Sequence, residues 1–328
     1  MINIRPEVAG YYKMEAVNAK TGKKRLLADW FPNIITDTGL NSMGSPGDGL
    51  AAFSVGSGST APATTDSSLA SHVAITVTTE AQTRGTSPEP PYYGFRRVTR
   101  RFDEGVAAGN LSEVGVGFFS GSGASLAPGP LFSRALILDG LGEPTTITVL
   151  SDEFLDVTYE LRMYAPAEDV VETVTDPETG VVYTVTTRPA FVTTTGSQGH
   201  YWGSTAYGTE IIPYRGGQVP IGFSSGPFRY PKAYSGDIGL VTDGPSGVLY
   251  AENMDFSRVI DAYSNNSLER SGHHQLHLSE GNEYPMRSLL HSFTGGGMWQ
   301  TQFDPAIAKT DTDILTIGVK VAWARHDP

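Results

Sequence analysis

The segment FLDVTYELRMY, Phe154 to Tyr164, constrains the fold more than any other part of the chain. Leu155, Val157, Tyr159, Leu161 and Met163 fall on one face of an extended strand, and Asp156, Thr158, Glu160 and Arg162 on the other, because side chains alternate sides along a pleated backbone. A helix would scatter the same residues around its axis. The strand is therefore expected to bury Leu155, Val157, Tyr159, Leu161 and Met163 and to leave Asp156, Glu160 and Arg162 outside the core. A slip of one residue would reverse every assignment.

Comparable strands lie on both sides of it. Leu111 to Phe119, Leu131 to Leu138 and Thr145 to Leu150 are each bounded by Gly or Pro turns and are expected to form a meander. The polar turn Asn18-Ala19-Lys20-Thr21-Gly22 predicts a hairpin within Tyr11 to Leu27, and DPETG between VVETVT and VVYTVTT predicts another, as an edge or a protruding arm. Leu315, Ile317, Val319, Val321 and Trp323 alternate as a closing strand. GSGSTAPATTDSSLASH is too polar for a buried strand and is expected to run over the surface. Helix is scarce: a turn or two after Asp37 or Thr38 as cap, limited by Gly39 and Gly44, and one at Asp255 to Leu268 with Val259, Ile260 and Tyr263 as its stripe.

These elements describe an all-β chain: an antiparallel β-sandwich or jelly-roll core with long loops and at most one or two short helices. With 328 residues the length favours two domains or one sandwich with insertions. The expected division is a core over 1–165 and a β-rich second domain or insertion over 166–328, rich in Gly and Tyr loops. The last strand, 313–325, is a candidate to complete the core. The chain has 38 Gly and 21 Pro but no collagen-like period and no internal repeat of fixed length, which speaks against a solenoid or a shaft.

With no cysteine, stability has to come from packing and oligomerisation. The amino terminus lacks a basic region followed by an apolar run, and no apolar stretch approaches membrane-helix length, so a soluble chain with no membrane partner is expected. A net charge of −12 repels phosphate backbones, and no nucleic-acid partner is expected. The exception to test is Arg96, Arg97, Arg100 and Arg101. Strand alternation would split them between two faces, to pair with acidic neighbours such as Asp103 and Glu104 or with another subunit.

Candidate chemistry is thin. His273, His274 and His277 could supply two metal ligands, with Glu280 or His291 as a third, since His273 and His277 share a face on a strand or a helix. Flanking Ser271, Gly272, Gly281 and Asn282 are loop residues, so no bound metal is expected, and no glutamate is placed as in a metalloprotease helix. The acid pairs Asp152 with Glu153 and Asp103 with Glu104 point opposite ways and cannot flank a glycosidic bond. FSVGSGSTA fits neither a dinucleotide fingerprint nor a P-loop, and Ser54, Ser57 and Ser59 sit outside a nucleophile elbow. No catalytic residue and no cofactor is assigned, and the chain is expected not to be an enzyme.

The order VGSGSTAPATTDSSLAS, LSEVGVGFF, LFSRALILDGLGEPTTITVLSDEFLDVTYELRMY resembles a pattern found in tailed-bacteriophage tail and virion proteins. There a "vGtG…a…d..L" loop precedes an "EvGl" strand, an "LFSRA…d..G.p.tit" meander and an "L.VtYElr.Y" strand. The likeness covers Trp30 to Tyr164. FDPAIAKTDTDILTIGVKVAWAR resembles the carboxyl ends of the same class, and Glu168 to about Tyr284 resembles nothing named. The resemblance implies a virion structural component of the tail, baseplate, collar or fibre, assembled in the host cytoplasm, with copies of itself and other tail or collar proteins as partners. A trimer is the expectation by analogy with fibres. The alternative is a carbohydrate- or receptor-binding module on a host surface glycan, with Tyr201, Trp202, Tyr207, Tyr214, Phe228, Tyr230 and Tyr234 as contact aromatics, since tyrosine-rich loops are common contact surfaces.

Overall fold

The computed structural model describes residues 1–44, 49–87, 89–166, 168–190, 229–251, 257–293 and 297–326. The described chain is all-β, an assembly of mostly antiparallel sheets with one short helix. Glu153–Tyr164 lies at the centre of a six-stranded sheet, between Glu7–Asn18 and Tyr93–Phe102. Leu155 pairs with Ala16 and Phe102, and Tyr159 with Tyr12 and Val98. Thr79–Thr86 forms one edge, and Lys24–Pro32 pairs with Glu7–Asn18 across the hairpin turn read from Asn18 to Gly22.

The second layer is a five-stranded sheet ordered Ile34–Ile35, Ala127–Leu136, Glu113–Ser120, Ala52–Gly56, His72–Thr76. Tyr159 joins the two layers: its ring meets Phe53 and Phe132 edge-on at centroid distances of 6.4 and 6.5 Å and Tyr12 at 4.9 Å. The expected meander is only half there. Glu113–Ser120 and Ala127–Leu136 pair, whereas Ile147–Val149 leaves the sheet to pair with Gly109–Leu111. The turn at Asp139 closes on itself through Leu138 and Pro144, which directs the chain away.

The carboxyl half adds a second pair of sheets. Six strands run in the order Val170–Thr175, Val182–Pro189, Gly297–Ile307, Met286–Phe293, Arg229–Tyr234, Leu249–Ala251, and the predicted DPETG hairpin forms the first two, at the edge. Four run Ile2–Ile4, Leu315–Ala322, Glu269–Leu276, Ser257–Ile260. The two ends of the chain knit the halves together. Ile2–Ile4 pairs parallel with Leu315–Ala322, and Glu7 and Val8 pair parallel with Ala324 and Arg325. One continuous apolar cluster runs from Leu155 and Phe53 through Val319 and Trp299.

Both helix expectations need correction. The helix Asp37–Ser42 is capped by Thr36, not by Asp37 or Thr38: the Thr36 hydroxyl accepts from the Gly39 N–H at 2.9 Å and donates to the Leu131 carbonyl at 2.6 Å. Asp37 instead meets Arg325 at 2.5 Å. Gly39 is required here, because a Cβ would stand 2.1 Å from the Phe132 carbonyl oxygen. The helix expected from Asp255 is replaced, among the described residues, by the strand Ser257–Ile260 paired with Glu269–Leu276. The β-branched Val259 and Ile260 favour that geometry. Tyr263 turns inward to stack on Trp323 at 5.8 Å, and its hydroxyl donates to Asn41 at 2.9 Å.

Candidate functional site

The motif residues of the first half converge on one buried cluster. Glu113 opens its strand and Arg134 lies diagonally across on the next, opposite Gly115, and the two form a close ion pair of 2.8 Å with both side chains at 2 % exposure or less. Arg134 also reaches Asp66 at 2.6 Å and the Thr60 carbonyl at 2.9 Å. The Glu113 carboxylate accepts from the N–H groups of Gly58, Ala70 and Ser71 at 3.0, 3.0 and 2.7 Å. Burial pushes its pKa up, but the backbone donors and Arg134 outweigh that and hold it below the ordinary value. A Cβ on Gly58 would lie 2.4 Å from Glu113 Oε1, so glycine is what lets the loop approach. The polar loop is therefore pinned at both ends, with Asp66 held from its middle. Both carboxylates of the cluster share the one guanidinium of Arg134.

The outer face of the first six-stranded sheet is a second ionic array. Arg101 makes two 2.7 Å bonds to Asp156, and Arg97 and Arg162 both engage Glu160. The guanidinium groups stack on rings: Arg97 on Trp30 and Phe95 at 4.9 and 5.2 Å, Arg101 on Phe154 at 5.2 Å, Arg162 on Tyr11 and Tyr93 at 4.0 and 4.6 Å. This corrects one expectation. Leu155, Val157, Tyr159, Leu161 and Met163 are buried as read, but Asp156 and Glu160 are also buried, at 3 % and 1 % exposure, beneath this layer of arginines and rings. Strand alternation does split the four arginines, yet Arg97 and Arg101 pair across strands, while Arg96 and Arg100 turn inward and Arg100 donates to the Leu50 carbonyl. The array leaves the Arg97 side chain 40 % and Trp30 38 % exposed, so a guanidinium and an indole ring are presented together on this face.

The histidines do not gather. Glu269–Leu276 places His273 and His274 on opposite faces and ends before His277, whose N–H is held by the Glu280 carboxylate at 2.8 Å. His273 and His277 therefore do not share a strand face. His274 points inward instead and is buried, as is His291 of the facing sheet. His291 Nε2 lies 3.0 Å from the Thr301 hydroxyl, itself 3.0 Å from that of Thr187. Burial, and then the charge of His274, pushes the His291 pKa down to about 3. Among the described residues no group of three His, Asp or Glu is placed to hold a metal.

Of the seven contact aromatics, Tyr201, Trp202, Tyr207, Tyr214 and Phe228 lie outside the described residues. Tyr230 stands in the strand Arg229–Tyr234, and Tyr234 is buried in the chain's own core. Sequence reasoning missed the Glu113 cluster. The signal was present as single charges inside apolar runs, Glu113 before VGVGFF and Arg134 within LFSRALIL, since a charge in a buried strand needs a partner. Also present among the described residues is no helix long and apolar enough to cross a membrane, which leaves strands aside. Compared with protein-family models, curated proteins and solved structures, the chain matches none.

Proposed function

We propose that the chain is a non-enzymatic structural component of a bacteriophage virion, of its tail, baseplate, collar or fibre, and that it acts through oligomeric assembly. One observation carries this reading. The residues that give the chain its phage-like pattern, among them Gly58, Asp66, Leu69, Glu113 and Arg134, serve the scaffold: they are buried or pinned together in one loop clamp. A motif spent on holding a loop in place belongs to a protein that works by shape and surface. The Arg97 and Trp30 face supplies a surface of the composition that interfaces favour, since arginine and aromatics are enriched there.

The test is the position and copy number of the chain in purified particles, read by density at side-chain resolution. Burial of the Trp30 and Arg97 face against neighbouring subunits is the expected result. A chain absent from intact particles, or monomeric by light scattering with no contact above the ~800 Å² of crystal packing, overturns the reading. The glycan-binding alternative rests on aromatics that lie mostly outside the described residues, and Tyr234 is taken up by the core.

A further inference from the structure

The second pair of sheets is open at one end. Met1, Ile2 and the strand Leu315–Ala322 form one wall of a cleft of ≈ 300 Å³, Val185 and Phe303 form the other, and the hairpin turn at Asp176 and Glu178 overhangs it. We propose that this cleft docks an extended segment of a partner polypeptide, which inserts a large apolar side chain and, two positions along on the same face, a basic one. The inference stands whether or not the chain belongs to a virion.

Three observations fix the occupant's chemistry. The floor is apolar, with Val185, Phe303 and Ile317 buried, while Met1 and Ile314 at the mouth are more than half exposed, so covering them removes apolar surface from water. The volume lies at the bottom of the roughly 300–1,000 Å³ range of ligand sites, room for a side chain or two. The side-chain charge is acidic: no lining side chain is basic and two at the rim are acidic, beside the α-amino group of Met1. Asp176 is engaged by its own turn, accepting from the Glu178 N–H at 2.9 Å and the Thr179 hydroxyl at 2.8 Å, but its charge reaches inside. Burial and then Asp176 push the Tyr183 phenol up. Glu178 is exposed and has no ion partner among the described residues, so it is the carboxylate free to meet a cation.

A polypeptide is favoured over a small molecule because Val170–Thr175, whose end lines the cleft, is the outermost strand of its sheet, with Val171 exposed. An extended segment can add to such an edge through main-chain hydrogen bonds while its side chains enter the adjacent pocket. A second copy of this chain is disfavoured as the occupant, since a net charge of −12 repels an acidic rim.

The experiment compares two blocked hexapeptides, Thr-Leu-Val-Lys-Val-Thr, whose Leu and Lys share a strand face, and the same sequence with Glu in place of Lys, against the full chain with ¹³C-labelled methyl groups. The lysine peptide is expected to shift the resonances of Val174, Val185, Ile307 and Ile317 saturably and to bind about tenfold more tightly than the glutamate peptide. Glu178→Gln is expected to weaken the lysine peptide about threefold with an unchanged melting temperature. Gly318→Leu places a side chain against Met1 at the mouth, where a Cβ meets it at 3.6 Å, an ordinary contact, and is expected to abolish binding. Equal binding of both peptides, indifference to Glu178→Gln, no methyl shift at millimolar peptide, or binding that survives Gly318→Leu overturns the proposal. If Gly318→Leu does not fold, the Glu178→Gln comparison decides alone.

Discussion

Glu113 and Glu160 are both buried glutamates held by arginine, but their partners differ in depth. Arg134 is as buried as Glu113, whereas the Arg97 side chain over Glu160 is 40 % exposed and Arg162 adds a second cation. Water can replace a lost Arg97 and cannot reach Glu113 to replace Arg134. The same chemical pair is thus a fixed part of the frame in one sheet and an adjustable outer coat in the other. Where both partners are desolvated, removing one leaves an uncompensated buried charge; where one is wet, the loss is small.

The largest expected effect follows at the clamp. Arg134→Met should cost about 3–5 kcal/mol of unfolding free energy, read by urea denaturation, and should free the 57–71 loop to proteolysis. Adding Glu113→Gln to Arg134→Met should recover part of that loss, because the stranded charge is gone. A cost below about 1 kcal/mol for Arg134→Met would place the two clusters in the same class and end the contrast.

How far the fold was legible follows from which interactions are local. Alternation along Phe154 to Tyr164 set the inner face, and the turns at Gly22 and DPETG set two hairpins, because these signals lie within a few residues of each other. Ile147–Val149 left the expected meander and Ser257–Ile260 became a strand because the deciding partners, Gly109–Leu111 and Glu269–Leu276, were supplied by pairing that the sequence does not print. The clamp was harder still: Arg134 meets residues 21 and 68 positions away. Asp156 and Glu160 looked solvated for the same reason, as Arg101 and Arg97, which pair with them, come from another strand.

A third buried polar group sharpens the comparison through pH. His291 is neutral where Glu113 is charged, and its folded pKa lies near 3, below the ordinary 6.5. A depressed folded value means that the unfolded chain takes up the proton first, so the contribution of neutral His291 is complete above pH 6.5 and is lost as pH falls toward 3. Glu113 also has a depressed value, but its unfolded reference is 4.5, so its contribution is lost only as pH falls below that. Between pH 6.5 and 5 the stability slope should therefore report the histidine side, at up to ~1.4 kcal/mol per pH unit. His291→Leu should reduce the slope in that window, leaving the share of His72, whose pKa burial also lowers, and should leave the lower window in place. A slope unchanged by His291→Leu would assign it elsewhere.

A smaller effect is expected at the helix start. Thr36→Ala removes the acceptor for the Gly39 N–H and the donor to the Leu131 carbonyl, and should cost about 1–2 kcal/mol. Asp37→Ala, which leaves that cap in place, should cost less. The reverse ranking would return the cap to Asp37.

The smallest effect tests the outer coat itself. Arg97→Met removes one of two cations on Glu160 and the stack over Trp30, but it leaves Arg162 bonded to Glu160 at 2.7 Å, and the lost cation sat at the edge of solvent. The expected cost is about 0–1 kcal/mol, diminishing further in high salt, which screens exposed charges and spares the buried clamp. If this face is an interface, the same substitution should weaken subunit association more than it weakens the fold, because burial by a neighbour would desolvate Arg97 and raise what its pairing is worth. Measuring both quantities on one variant separates the two roles. Equal losses in folding and assembly would make the array part of the frame, and the difference in depth between Arg97 and Arg134 would then carry no functional meaning.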